Sequence, residues 1–268
     1  MNPALPPSPH DARHHDRRPA PADGPAVALD LRRAVRWLAV AIVGLLAMAV
    51  LGRVLHFTGL ATRSYTVQQV MRVFEVDAEQ SVPTWFSCLL LLAAAALLLL
   101  VGQLRRAARA PMARHWTALG AIFVLLSIDE AVGLHNTEFV SEETARGISD
   151  YFAIPWVFQG IAVVAAVGLA YLRFLVALPR ATRRGFVLAG IIYVGGALVM
   201  EMVGASYIVR YTDAHPAVAA VVLVEEAMEM LGALVLVATL VRHLEAEYPR
   251  LGAHLVRRPS SGERGEAR

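Results

Sequence analysis

The stretch that decides the fold is residues 83–103, "PTWFSCLLLLAAAALLLLVGQ". It contains no charged side chain, and its length matches the ~20 apolar residues that an α-helix needs to cross the hydrocarbon core of a bilayer. Pro83 would stand in the first turn of this helix, where proline is favoured. The stretch therefore predicts a transmembrane helix and makes the chain an integral membrane protein.

The same pattern recurs along the chain, which has 268 residues and is 57% hydrophobic. Soluble domains are usually closer to half apolar. Apolar runs extend over about 35–59, 83–103, 116–138, 154–178, 186–209 and 216–241. We therefore predict an all-α fold, a polytopic membrane helix bundle with six transmembrane helices within residues 31–245.

Three segments lie outside these runs. Residues 1–30 are rich in Pro, Ala, Arg and His and predict a disordered cytoplasmic tail, and residues 246–268 predict a flexible cytoplasmic tail. Within residues 63–80, Val67, Val70 and Met71 recur at helical spacing. This spacing predicts a short amphipathic helix on the outer side of the membrane.

The arginines predict the orientation of the bundle. All 25 basic residues are arginine, and they concentrate at the ends of alternate apolar runs. These arginines are Arg32, Arg33, Arg36, Arg105, Arg106, Arg109, Arg114, Arg180, Arg183, Arg184, Arg242, Arg250, Arg257 and Arg258. By the positive-inside rule both termini are cytoplasmic. The arginines are thus explained by membrane topology and do not indicate nucleic-acid binding. The arginine-only, Ala-rich composition suggests a bacterial inner membrane.

Acidic residues inside the apolar runs mark a candidate site. Asp129 and Glu130 lie in the third run, Glu201 in the fifth, and Glu225, Glu226 and Glu229 in the sixth. A charged side chain in mid-bilayer costs at least about 2.5–3.5 kcal/mol and usually has a role. With a rise of ~1.5 Å per residue, the acids of the three runs fall in one layer near the midplane, displaced toward the outside.

The leading hypothesis for this layer is a divalent metal site. Its predicted ligands are Asp129, Glu130, His135, Glu201, Glu225, Glu226 and Glu229. Such oxygen-rich ligation favours Zn, Mn, Fe, Mg or Ca over copper. The protein would then be a metal-centred membrane protein, with hydrolase or oxidoreductase activity on a lipid or a small periplasmic substrate.

Two further functions remain open. Carboxyls that stay protonated would suit a proton- or cation-coupled transporter or channel. Carboxyls that bond one another across helices would suit a structural or regulatory subunit of a membrane complex. The sequence contains no Walker A, GxGxxG, HExxH, CxxC or GxSxG motif, so no catalytic residue is predicted.

Two stretches carry a resemblance to a known group. "FEVDAEQSVPTWFS" (Phe74 to Ser87) and "LLSIDEAVGLHN" (Leu125 to Asn136) resemble a group of bacterial multipass membrane proteins of uncharacterised activity. The group's pattern is an acidic segment before Pro-Thr-Trp-(Phe/Tyr)-Ser, and a later Ser-(Ile/Leu)-Asp-Glu followed by His-Glu; here Asn136 replaces the last Glu. The resemblance implies that Asp77 and Glu79 join Asp129, Glu130 and His135 in one outward-facing site.

Overall fold

A computed structural model of the protein describes residues 30–78, 80–134, 156–211 and 215–249. The described residues form seven helices and no strand. The helices are α1 (Leu31–Phe57), α2 (Tyr65–Val73), α3 (Val82–Ala107), α4 (Ala113–Val132), α5 (Trp156–Ala177), α6 (Arg180–Arg210) and α7 (Pro216–Glu247). The all-helical prediction is confirmed for this part of the chain. The predicted tails, residues 1–30 and 246–268, lie almost wholly outside it.

The number of candidate membrane spans differs from the predicted number. Five helices, α1, α3, α4, α5 and α6, are long and apolar enough to cross a membrane, whereas the sequence predicted six. The sixth predicted run forms α7, which is 32 residues long. Glu225, Glu226 and Glu229 interrupt its apolar sequence, and α7 is not among the five.

One end of the bundle, here called the arginine-rich end, gathers the start of α1, the α3–α4 and α5–α6 turns and the end of α7. Arg32 and Glu245 form an ion pair of 2.6 Å there. The hydroxyl of Thr182 and Nδ1 of His243 lie 3.1 Å apart. The first and last described helices therefore have their outer termini at the same end, and the side of the membrane that this end faces stays a prediction.

Glycines allow α6 and α7 to pack closely. A Cβ atom added at Gly232 of α7 would lie 2.6 Å from the backbone nitrogen of Tyr193, and one added at Gly185 of α6 would meet Thr239. A Cβ atom at Gly102 of α3 would likewise lie 2.6 Å from Thr117 of α4. Small residues at such crossings let helix backbones approach within the membrane.

The opposite end of the bundle, here called the acidic end, carries α2 and the segment that leads to α3. The predicted amphipathic helix is present as α2, and Gly52 of α1 lies against Met71. Arg53 forms a 2.6 Å ion pair with Glu75. Ser81 caps α3 through a 3.2 Å bond from the Thr84 amide, and the Thr84 hydroxyl donates to the Ala78 carbonyl at 2.9 Å. These contacts fix Asp77 between α1 and the start of α3.

Candidate functional site: a carboxyl cluster

Helix α6 changes its hydrogen-bonding pattern just before Glu201. Residues Gly195–Met200 form a π-helical segment, after which the α-helix resumes at Glu201. π-Helical segments are rare and are often found at functional sites. A Cβ atom at Gly196 would lie 2.9 Å from the Glu225 carbonyl oxygen, so the segment runs directly against α7. This contact brings Glu201 to the face of α7 that carries its glutamates.

The side-chain carboxyls of Glu201 and Glu225 lie within hydrogen-bonding reach of each other. An ionised carboxylate only accepts hydrogen bonds, so a bond between two carboxyls requires that one of them carries a proton. Glu225 also interacts electrostatically with Glu226 and Glu229 of its own helix. The α6–α7 crossing therefore brings together two carboxyls that could share a proton.

Helix α4 brings two more acids to the same place. Glu229 interacts electrostatically with Asp129 and Glu130 of α4, and Glu226 interacts with Glu130. Ser127 helps to fix this face of α4 because its hydroxyl donates to the Cys88 carbonyl of α3 at 3.0 Å. We call the six residues Asp129, Glu130, Glu201, Glu225, Glu226 and Glu229 the carboxyl cluster.

Asp77 connects the carboxyl cluster to the surface. Its side chain is exposed, whereas the six members of the cluster are partly buried. Asp77 interacts electrostatically with Glu226. Acidic side chains therefore extend from the surface at the acidic end to Glu229 inside the bundle.

Helix α4 ends where Gly133 adopts a left-handed conformation, with φ of 61°, and its amide donates to the Asp129 carbonyl at 2.8 Å. A left-handed glycine commonly terminates a helix. The third apolar run was predicted to reach residue 138, and the described helix stops at Val132 for this reason. His135 and Glu79, both predicted site residues, lie outside the described residues.

The predicted metal site is not assembled by the described residues alone. Among them, no three His, Cys, Asp or Glu side chains are arranged to hold one metal ion. Metal binding therefore stays a prediction that depends on residues such as His135 and Glu79. The neighbouring methionines pack: Met230 is buried, and the Met228 methyl lies close to Gly195.

Tyr193 is a neighbour of the cluster that the sequence analysis missed. It interacts electrostatically with Glu229, Glu130, Asp129 and Glu226. The sequence did contain a signal for it. Tyr193 lies two residues before the Gly195–Gly196 pair, and paired glycines favour irregular helix geometry. A phenol at this position gives the cluster a neutral hydrogen-bond donor.

A family model described as a domain of unknown function, DUF8692, matches residues 35–244. The chain belongs to the DUF8692 family. The matched span contains the whole carboxyl cluster, together with Asp77 and Tyr193. A family without an assigned function agrees with the resemblance drawn from the sequence, whose motif pattern and bacterial source stay predictions.

Searches of curated proteins and of solved structures each returned no match for this DUF8692 chain. Its chemistry is therefore deduced from the cluster. Carboxyls that share an apolar environment and interact with one another cannot all be ionised without added positive charge. The arrangement can hold protons or cations.

Proposed function

We propose that this protein is a membrane protein of the proton-coupled transporter or channel class, in which the carboxyl cluster takes up protons from the acidic end. The observation that supports the proposal is that the Glu201 and Glu225 carboxyls lie within hydrogen-bonding reach of each other. Two carboxyls can be hydrogen-bonded only while they share a proton. Titratable chains of acids inside membrane bundles are typical of proton pathways.

The position of α7 supports the proposal. This helix packs against α1, α3 and α6, and its residues Met230, Leu234 and Val237 are buried. We infer that α7 lies inside the membrane layer with its glutamates covered by the other helices. An acid-rich helix is tolerated there because the acids face the interior of the bundle.

We place the entry for protons at the acidic end, where the side chain of Asp77 is exposed. Toward the arginine-rich end, the side chains of Trp116, Phe174 and Leu240 are buried. A proton that enters past Asp77 therefore meets an apolar barrier. One-sided access of this kind suits a carrier that must change conformation to release its cargo, rather than a continuously open pore.

The shared proton can be tested by infrared difference spectroscopy on protein reconstituted in liposomes. We expect the wild type to show the C=O band of a protonated carboxyl at neutral pH, and we expect Glu225→Gln and Glu201→Gln each to remove or shift it. Glu245→Gln is the matched control, because Glu245 pairs with Arg32 at the other end of the bundle. A band that survives both cluster substitutions would contradict the proposal.

Transport is tested separately with proteoliposomes that contain a pH-sensitive dye. An imposed pH gradient should dissipate faster with the wild type than with Glu225→Gln, and Glu245→Gln should behave like the wild type. Equal rates of pH-gradient dissipation for all three proteins and for empty liposomes would contradict the transport part of the proposal.

The divalent metal site remains the second candidate. It would require His135 or Glu79 in addition to the carboxyl cluster, because no three His, Cys, Asp or Glu side chains among the described residues are arranged to hold one ion. Carboxylate oxygens are the ligands that Mg, Ca and Mn prefer. Elemental analysis of protein purified under mild conditions, compared with Glu130→Gln and Glu229→Gln, tests it. A stoichiometric metal lost in both variants would favour this candidate and the associated hydrolase or oxidoreductase activity.

A further inference from the structure

A cavity of about 300 Å³ lies between α4, α5, α6 and α7. Its walls are almost entirely apolar and include Phe123, Val164, Phe174, Phe186 and Leu236. The lining residues come from these four helices, and none of them is charged. Ligand sites commonly have this volume and composition, with a few polar groups that orient the ligand.

Glycines keep the cavity open. Gly168 of α5 and Gly190 of α6 line it, and a Cβ atom added at either position would have no neighbour within 4 Å. Helix α5 is held at the arginine-rich end, where the Tyr171 hydroxyl donates to the His115 carbonyl at 3.1 Å and Phe174 packs on Trp116. These contacts attach α5 to the bundle at the arginine-rich end, whereas most of its other side chains are exposed.

One end of the cavity touches the carboxyl cluster. Tyr193 lines the cavity and also interacts electrostatically with Glu229 and Glu130. Gly232, which lines the same end, is less than one helical turn from Glu229. The apolar cavity thus has one wall, formed by Tyr193 and Gly232, that lies next to the carboxyl cluster.

We propose that this cavity binds one long-chain membrane amphiphile, with its apolar chain between α5 and α6 and a protonated amine beside Tyr193 and Glu229. The chain is the expected occupant because α5 and α6 are candidate membrane spans and lipid is the medium around them. The amine follows from charge complementarity with the carboxyls. This site is additional to the proton uptake proposed above.

The test uses two photoreactive probes that share one alkyl chain with a diazirine near its end. One probe carries a primary amine, and the other carries a sulfonate. After illumination of the reconstituted full-length protein, peptide mapping should place the amine probe on buried cavity residues such as Phe174 and Leu236. The sulfonate probe should label only lipid-facing residues, such as Leu169 and Val176, which are exposed on α5.

Gly190→Leu fills the cavity and should abolish labelling of its walls by the amine probe, as should Gly168→Leu from the opposite side. Gly44→Leu is the matched control, because its Cβ also meets open space but lies on α1, away from the cavity. Labelling that persists in both filled variants, or that is equal for the two probes, would overturn the proposal.

Proton uptake supplies an independent readout in the same variants. Gly190→Leu should retain the protonated carboxyl band, because it leaves Glu201 and Glu225 unchanged. Loss of labelling with the band intact supports the amphiphile site on its own. Absence of the protonated carboxyl band from the wild type would contradict proton uptake without affecting the labelling result.

Discussion

The two ends of the bundle are built from the same helices but are held together by different contacts. At the arginine-rich end, Trp116 stacks on His243 with ring centroids 5.0 Å apart and meets Phe174 and Phe186 edge-on at 5.1 and 5.7 Å. At the acidic end, the helices meet through partly buried carboxyls and a π-helical segment. One end has a close-packed aromatic interior, and the other has carboxyls in its interior.

This difference shows how one bundle can combine rigidity with a titratable site. Close-packed aromatic contacts define a single arrangement of α4, α5, α6 and α7 at the arginine-rich end. Under the proposed function, the carboxyl cluster would change its protonation state while the helices that carry it stay anchored at the arginine-rich end. Substitutions at the arginine-rich end should therefore change stability, and substitutions at the acidic end should change proton uptake.

The largest expected effect is that of Trp116→Ala. Trp116 is 1% exposed and contacts three aromatic rings, so its removal leaves a cavity at the anchor of the bundle. Large-to-small substitutions of a buried aromatic cost about 3–5 kcal/mol. Thermal or denaturant unfolding of the purified protein should show this loss. A decrease below about 1 kcal/mol would contradict the assignment of this cluster as the anchor.

The next effect is that of Gly232→Ala, which adds one methyl group at the closest backbone crossing. The new Cβ would lie 2.6 Å from the Tyr193 nitrogen, and a backbone atom cannot move aside as a flexible side chain can. Overpacking of this kind costs about 1–3 kcal/mol. Gly44→Ala is the control, because its Cβ meets open space and should leave the melting temperature unchanged or slightly raised.

The helices could be predicted because their signal is local. Apolar runs near the length of a membrane span locate α1, α3, α4, α5 and α6, and the structure confirms these as helices of suitable length. The run that became α7 was the exception, because three glutamates reduce its apolar character. The end of α4 was predicted too late because the left-handed Gly133 is a single-residue effect inside an apolar pattern.

The carboxyl cluster could be predicted only in part. Helical rise placed Glu201 and Glu225 in one layer, and the structure brings their carboxyls within hydrogen-bonding reach. The choice of partners depends on how α6 crosses α7, which is set by the Gly196 contact and the π-helical segment. Neither feature follows from periodicity. The cavity beside Tyr193 could not be predicted either, because it forms only where four helices come together.

A smaller effect on stability is expected from Glu225→Gln at the acidic end. Glutamine can still hydrogen-bond to Glu201, and it removes one carboxyl from a crowded apolar site. We expect the free energy of unfolding to rise by about 1 kcal/mol or less, while the shared-proton infrared band is lost. A loss of several kcal/mol would show that this pair anchors the fold, which would weaken the contrast between the two ends.

The smallest expected effect is that of Arg53→Gln, which breaks the ion pair between α1 and the segment that carries Asp77. The side chains of Arg53 and Glu75 are 28% and 36% exposed, so solvent screens their attraction. Exposed pairs contribute about 0.2–1 kcal/mol, and we expect a loss near the lower end of that range. Unfolding measured at low salt should detect it.

Salt concentration distinguishes an electrostatic role of Arg53 from a packing role. At about 1 M salt the Debye length falls to ~3 Å, so the wild type and Arg53→Gln should become equally stable. Arg53→Lys is the matched control, because it keeps the charge and should retain most of the low-salt stability. If the difference persists at high salt, the alkyl part of Arg53 packs against the bundle, and the acidic end is anchored more firmly than its exposed carboxyls indicate.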